Sequence, residues 1–125
     1  MKPSPALQTL KAEFFRALAH PVRIRLLEVL VTSGATSVQD LQRGLGIDQP
    51  IVSQQLARLR SSGIVVARRQ GTATFYTVAD PLIADLLRVA KEILNRHLIG
   101  VQGLLRELKH DRSADATRTR RAARA

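Results

Sequence analysis

The apolar residues of this chain keep a helical period up to Leu59, alternate between Ile64 and Val78, and return to a helical period from Ile83. A change of period from 3.6 to two fixes a change of secondary structure. A helix must therefore run into a short two-stranded ribbon, and the ribbon into another helix. Val52, Leu56 and Leu59 lie at i, i+4 and i+7 and form one face of the first of these helices, which Asp48 caps and Gly63 stops. Ile64–Arg69 and Ala73–Val78 are predicted as strands joined across Gln70-Gly71-Thr72.

Upstream, Leu7, Leu10, Phe14 and Leu18 follow helical spacing from Pro5. His20-Pro21 ends that helix, because the residue before proline disfavours helical angles. Pro21 then suits the first turn of a second helix, which ends at Ser33-Gly34. Ser37 caps a short third helix with Val38, Leu41 and Leu45 inward, closed by Gly44 and Gly46. Asp80-Pro81 opens the last helix. Its residues Ile83, Leu87, Ala90, Leu94, His97, Val101, Leu104 and Leu108 are spaced 4-3-4-3-4-3-4, a coiled-coil-like stripe. The fold expected is mainly α with a small β-hairpin: about five helices and a two-stranded wing, a winged helix-turn-helix. Residues 1–110 form its DNA-binding and dimerisation domain, and 111–125 a basic, disordered tail that carries Arg112, Arg118, Arg120, Arg121 and Arg124.

Charge then points to a partner. Twenty Lys and Arg oppose ten Asp and Glu, a net charge of +10. Such a balance suits a polyanion. Between Asp48 and Asp80 there are four arginines (Arg58, Arg60, Arg68 and Arg69) and no acid. In a helix-turn-helix, side chains at the start of the second helix reach base edges in the major groove. Gln pairs in bidentate fashion with adenine, and Ser serves either base type. Arginine neutralises phosphate. Double-stranded DNA is the partner expected. A membrane is not, since no apolar run approaches the ~18–20 residues of a span and the basic residues do not lie along one amphipathic helix. The chain has no cysteine, which excludes disulfides and thiolate metal sites, and a cytoplasmic protein is expected. Glycine-rich phosphate loops and nucleophile–base pairs are missing, so an enzyme is not expected. Another reading, a winged helix that docks a protein, would call for acidic residues on the fourth helix and wing.

The stretches FFRALAHPVRIRLLEVL and LGIDQPIVSQQLARLRSSGIVVARRQGTATFYTV resemble the arsenic-repressor (ArsR/SmtB) family of transcriptional repressors over roughly residues 10–100. The resemblance implies a homodimer joined through its first and last helices, bound to a palindromic operator and released by an effector. It places Gln49, Pro50, Ser53 and Gln54 at the family's base-reading positions and Arg68, Arg69 and Gly71 on its wing. Gln55, Arg58 and Arg60 complete the expected backbone contacts. Leu7, Leu10, Phe14, Ile83, Leu87, Leu94 and Val101 are expected in the dimer interface. Where the family holds metals, this chain departs from it. Ser37-Val38-Gln39 stands for a Cys-Val-Cys run, and Leu82, Ile93 and Arg96 accompany Asp80 where other ligands would stand. No metal site and no cofactor are expected. His20, His97 and His110 lack suitable ligands at i+3 or i+4. The effector, a small molecule or a protein, stays unidentified.

Overall fold

The computed structural model describes residues 5–124, with the side chains of 5–110. In chain order it forms α1 (Pro5–Leu18), α2 (Pro21–Ser33), β1 (Thr36–Ser37), α3 (Val38–Leu45), α4 (Gln49–Ser61), β2 (Val65–Gln70), β3 (Ala73–Val78) and α5 (Leu82–Arg124). Two compact units divide between Leu87 and Arg88.

In the first unit the predicted boundaries have visible causes. His20 is extended, and its Nδ1 accepts the Val22 N–H at 3.1 Å, so it caps α2 ahead of Pro21. Ser37 Oγ accepts the Asp40 N–H at 3.1 Å and starts α3. Gly46 ends α3 at φ 65°, in the left-handed region that favours glycine, and its N–H returns to the Gln42 carbonyl. Arg25 Nη2 donates to the Leu45 carbonyl at 3.1 Å, which satisfies a second end group of that helix. Asp48 holds the N-cap position of α4 by backbone only. Its side chain makes no capping hydrogen bond, while its carbonyl accepts from Ile51 and Val52.

Two strand assignments change. The sheet has three antiparallel strands in the order β1-β3-β2, where the sequence predicts two. Thr36 and Ser37 pair with Tyr76 and Phe75; two residues are too few to show a period. The second strand begins at Val65, one residue later than predicted. Ile64 belongs to the turn, its N–H bonded to Leu59 O and its carbonyl to the Ala79 N–H. At the far end Gln70 pairs with Ala73, so the loop is Gly71-Thr72 alone. Gly71 has φ 61° and Thr72 does not have positive φ, as a type II′ hairpin turn requires.

Leu26, Leu27, Leu30, Leu41, Val52, Leu56, Leu59 and Val65 are fully buried and form the core with Ala17, Leu18, Ile64 and Ile83. Each large apolar side chain so buried contributes about 1.5–3 kcal/mol. Ser37 is the one buried polar residue among those described, and it serves both as the end of β1 and as the cap of α3. Ser37→Ala should cost about 1 kcal/mol, and Ser37→Thr much less. Urea unfolding measures both; an unchanged midpoint for the alanine variant would remove the cap from the account.

The second unit is the remainder of α5. Arg88 and Glu92 pair at 3.6 Å across one turn. Val89, Ile93, Leu94, Leu98, Val101, Leu104, Leu105 and Leu108 are all exposed. The helix continues to Arg124, past the His110 at which its periodicity stops. The side chains of 111–125, on which the expectation of a disordered basic tail rests, lie outside the described residues.

Candidate nucleic-acid interface

α3, its glycine turn and α4 form the helix-turn-helix, and the hairpin β2–β3 forms the wing. Val52, Leu56 and Leu59 are 0% exposed, which anchors one face of α4 in the core. With 3.6 residues per turn, Gln54 stands roughly opposite that face, with Pro50 and Ser61 beside it. Gln49, Ser53 and Arg60 lie on one flank of this outer face; Ile51, Gln55 and Arg58 lie on the other. Gln49, Pro50, Ser53 and Gln54 are all exposed, while Gln55 is half-buried. The four residues expected to read bases therefore share one open surface on the first two turns of the helix.

The polar groups of this surface are free to bind something else. Among the described residues, Gln49, Ser53, Gln54, Arg60, Arg68 and Arg69 make no side-chain hydrogen bond or ion pair. Long charged side chains held in water with no partner add little to stability; they remain available for phosphate.

Arg58 behaves differently. Its Nη1 donates to Ser62 Oγ at 3.0 Å, and it lines a cleft with Leu10, Glu13, Phe14, Arg16, Ser61 and Ser62. It stands one turn beyond Gln54 on the same side of α4 and borders α1. The i, i+4 spacing of Arg58 and Ser62 is visible in the sequence, but a serine at that spacing is too common to signal such a bond. On the wing, Arg68 lies opposite Phe75 and Arg69 opposite Thr74. Neighbours on a strand point to opposite faces, so the two arginines stand on different faces of the hairpin. Gly71 sits at the hairpin tip. α3 adds exposed Gln39 and Arg43 on its outer face; polar residues there are too common in any solvated helix to mark them in the sequence.

The residues expected in a dimer interface divide into two groups. Leu7, Leu10, Leu94 and Val101 are exposed in the single chain. Phe14 and Leu87 are half-buried against the core, and Ile83, at 6% exposure, is part of it. Ile83 is thus spent on its own chain, because it opens α5 directly beneath the β3–α5 turn. Among the described residues, no three His, Asp or Glu side chains gather where they could hold a metal ion.

Residues 18–68 match the family model of a helix-turn-helix domain. Over 111 residues the chain is 45% identical to the uncharacterized HTH-type transcriptional regulator Rv0081 of Mycobacterium tuberculosis, covering 89% of this chain and 97% of that one. The crystal structure of Rv0081 superposes with a TM-score of 0.70 over 78% of this chain and 97% of that one. Similarity extends to a probable mercury resistance operon repressor of Streptomyces lividans, 44% identical over 64% of this chain and 63% of that one. It extends also to the solution structure of the homodimeric winged helix-turn-helix DNA-binding domain of Mb0332 from Mycobacterium bovis, described as a possible ArsR-family transcriptional regulator. That domain is 30% identical, with a TM-score of 0.68 over 77% of this chain and 91% of that one.

Proposed function

The chain belongs to the ArsR/SmtB family of winged helix-turn-helix transcriptional regulators, and on that premise we propose that it represses transcription as a homodimer seated on a palindromic DNA operator. Residues 1–110 form the binding and dimerising domain, and 111–125 a basic extension. α4 lies in the major groove. Gln49, Pro50, Ser53 and Gln54 meet base edges, and Arg60, Arg68, Arg69 and the tip at Gly71 hold the backbone. The observation that carries this reading is the outer face of α4: polar, exposed, unpaired, free of acid, and fixed by three fully buried residues behind it.

Two-fold symmetry gives each protomer one half-site and sets a second copy of α4 one helical turn of DNA away. Exposed Leu7 and Leu10 of α1 and Leu94 and Val101 of α5 supply surface for the second copy to cover. No described helix is long and apolar enough to cross a membrane, which accords with work in the cytoplasm. An effector, whose identity the family alone does not fix, would release the DNA.

The salt dependence of binding to duplex DNA tests the reading. Three free arginines per protomer make about six phosphate contacts per dimer, so the logarithmic salt slope should be about −5. Affinity should then fall by roughly a thousandfold between 50 and 200 mM salt. Binding that ignores salt, or fails on every duplex tried, would reject it.

A further inference from the structure

A second surface is chemically unlike the DNA-binding face. Phe14 of α1, the turn Ser62-Gly63-Ile64, the turn Ala79-Asp80, and Leu82, Ile83 and Leu86 of α5 line an open cleft of about 420 Å³. That size falls within the ~300–1,000 Å³ of small-molecule sites, which are mostly apolar with a few placed polar groups. The lining fits the description. It is largely hydrocarbon, and Leu82 is held 66% exposed at its edge. Ser62 is already committed, since its Oγ donates to the Arg58 carbonyl and accepts from Arg58 Nη1. Asp80 is the only charged side chain in the lining. Its Oδ1 accepts the Leu82 N–H at 2.8 Å, and its second oxygen has no partner among the described residues. In a chain of net charge +10, the polar contact offered here is a lone carboxylate.

We propose that this cleft is an effector site for a small amphipathic cation, an aryl or alkyl amine. Its apolar body lies against Phe14, Ile64, Leu82 and Leu86, and its ammonium group meets Asp80. The effector role rests on the DNA-binding reading above; the binding itself does not. The position explains how occupancy reaches the DNA face. Ser62, Gly63 and Ile64 follow α4 directly, and the Ile64 N–H is bonded to Leu59 O of that helix. The Ile64 carbonyl holds the Ala79 N–H at 2.9 Å, which closes the base of the wing. A molecule in the cleft therefore bears on the end of the reading helix and the root of the wing together. It shifts DNA affinity by the difference in its own affinity for the free and DNA-bound forms.

The probes are 2-naphthylethylamine and 2-naphthylacetate, titrated into the full chain without DNA and followed by amide NMR. The amine should give saturable shifts at Gly63, Ile64, Ala79 and Leu86. The acid should bind at least about tenfold more weakly, because the carboxylate attracts one probe and repels the other. Asp80→Asn keeps the acceptor for the Leu82 N–H and removes the charge, so it should erase the difference between the probes. Ala79→Leu adds bulk at an exposed edge and should weaken both. Equal binding of the two probes by the unaltered protein, or no saturable shift at these amides, would overturn the site. With DNA present, the amine should alter the affinity of the unaltered protein and leave Asp80→Asn nearly unmoved. Binding without any change in DNA affinity would overturn the effector role while leaving the DNA reading intact.

Discussion

Leu94→Glu is expected to turn the dimer into monomers. Leu94 sits on α5, 57% exposed in the single chain, on the same stripe as Val101, Leu104 and Leu108. A stripe of that length on a helix unoccupied by its own core needs another apolar surface. Two-fold symmetry would place two glutamates in the seam at once. Burying a charge with no partner costs several kcal/mol per ion, comparable with the whole stability of many small domains. Because Leu94 lies outside the core, the substitution should leave the helical circular dichroism of the chain unchanged. Sedimentation should then give the 13.8 kDa mass of one chain in place of twice that value. Affinity for duplex DNA should collapse with it, since each monomer holds a single half-site. A variant that still sediments as a dimer would reject this interface.

Most of the architecture is legible in the residues because its signals are local. The helix starts at Pro21 and Ser37 and the stops at Gly46 and Gly63 each come from one residue whose backbone or cap chemistry admits little else. Val52, Leu56 and Leu59 are buried as their spacing predicts, and once they are buried the outer face of α4 is fixed by geometry. What escapes the sequence is non-local. β1 exists because Thr36 and Ser37 meet the far strand of a hairpin some forty residues later. Ile83 belongs to the heptad stripe by spacing and to the core by position, and only the fold decides between them. Arg58 and Arg60 look equivalent in a list of basic residues, yet the turn of the helix sets Arg58 beside α1 and Arg60 on the other flank, both exposed. The cleft beside Asp80 draws its lining from three separate stretches of chain, so no single motif announces it.

The second large effect concerns the division of labour between α4 and the wing. Gln54 faces outward from the first half of α4, and Arg69 lies on the hairpin opposite Thr74. A bidentate contact to a base is worth about 1–3 kcal/mol of discrimination, and a symmetric dimer makes it twice. Gln54→Ala should therefore reduce the preference for a selected duplex over random DNA by roughly thirtyfold or more, with little change in affinity for random DNA. Arg69→Ala should weaken both DNAs alike and make the salt slope shallower by about two, one for each protomer.

Measuring the unaltered protein and these two variants on both DNAs across one salt series tests the central claim, that α4 reads sequence while the wing holds phosphate. Gln54→Ala should lose preference at a nearly constant slope, and Arg69→Ala should give a shallower slope at constant preference. If Gln54→Ala weakens the selected and the random duplex equally, the outer face of α4 is not what recognises DNA.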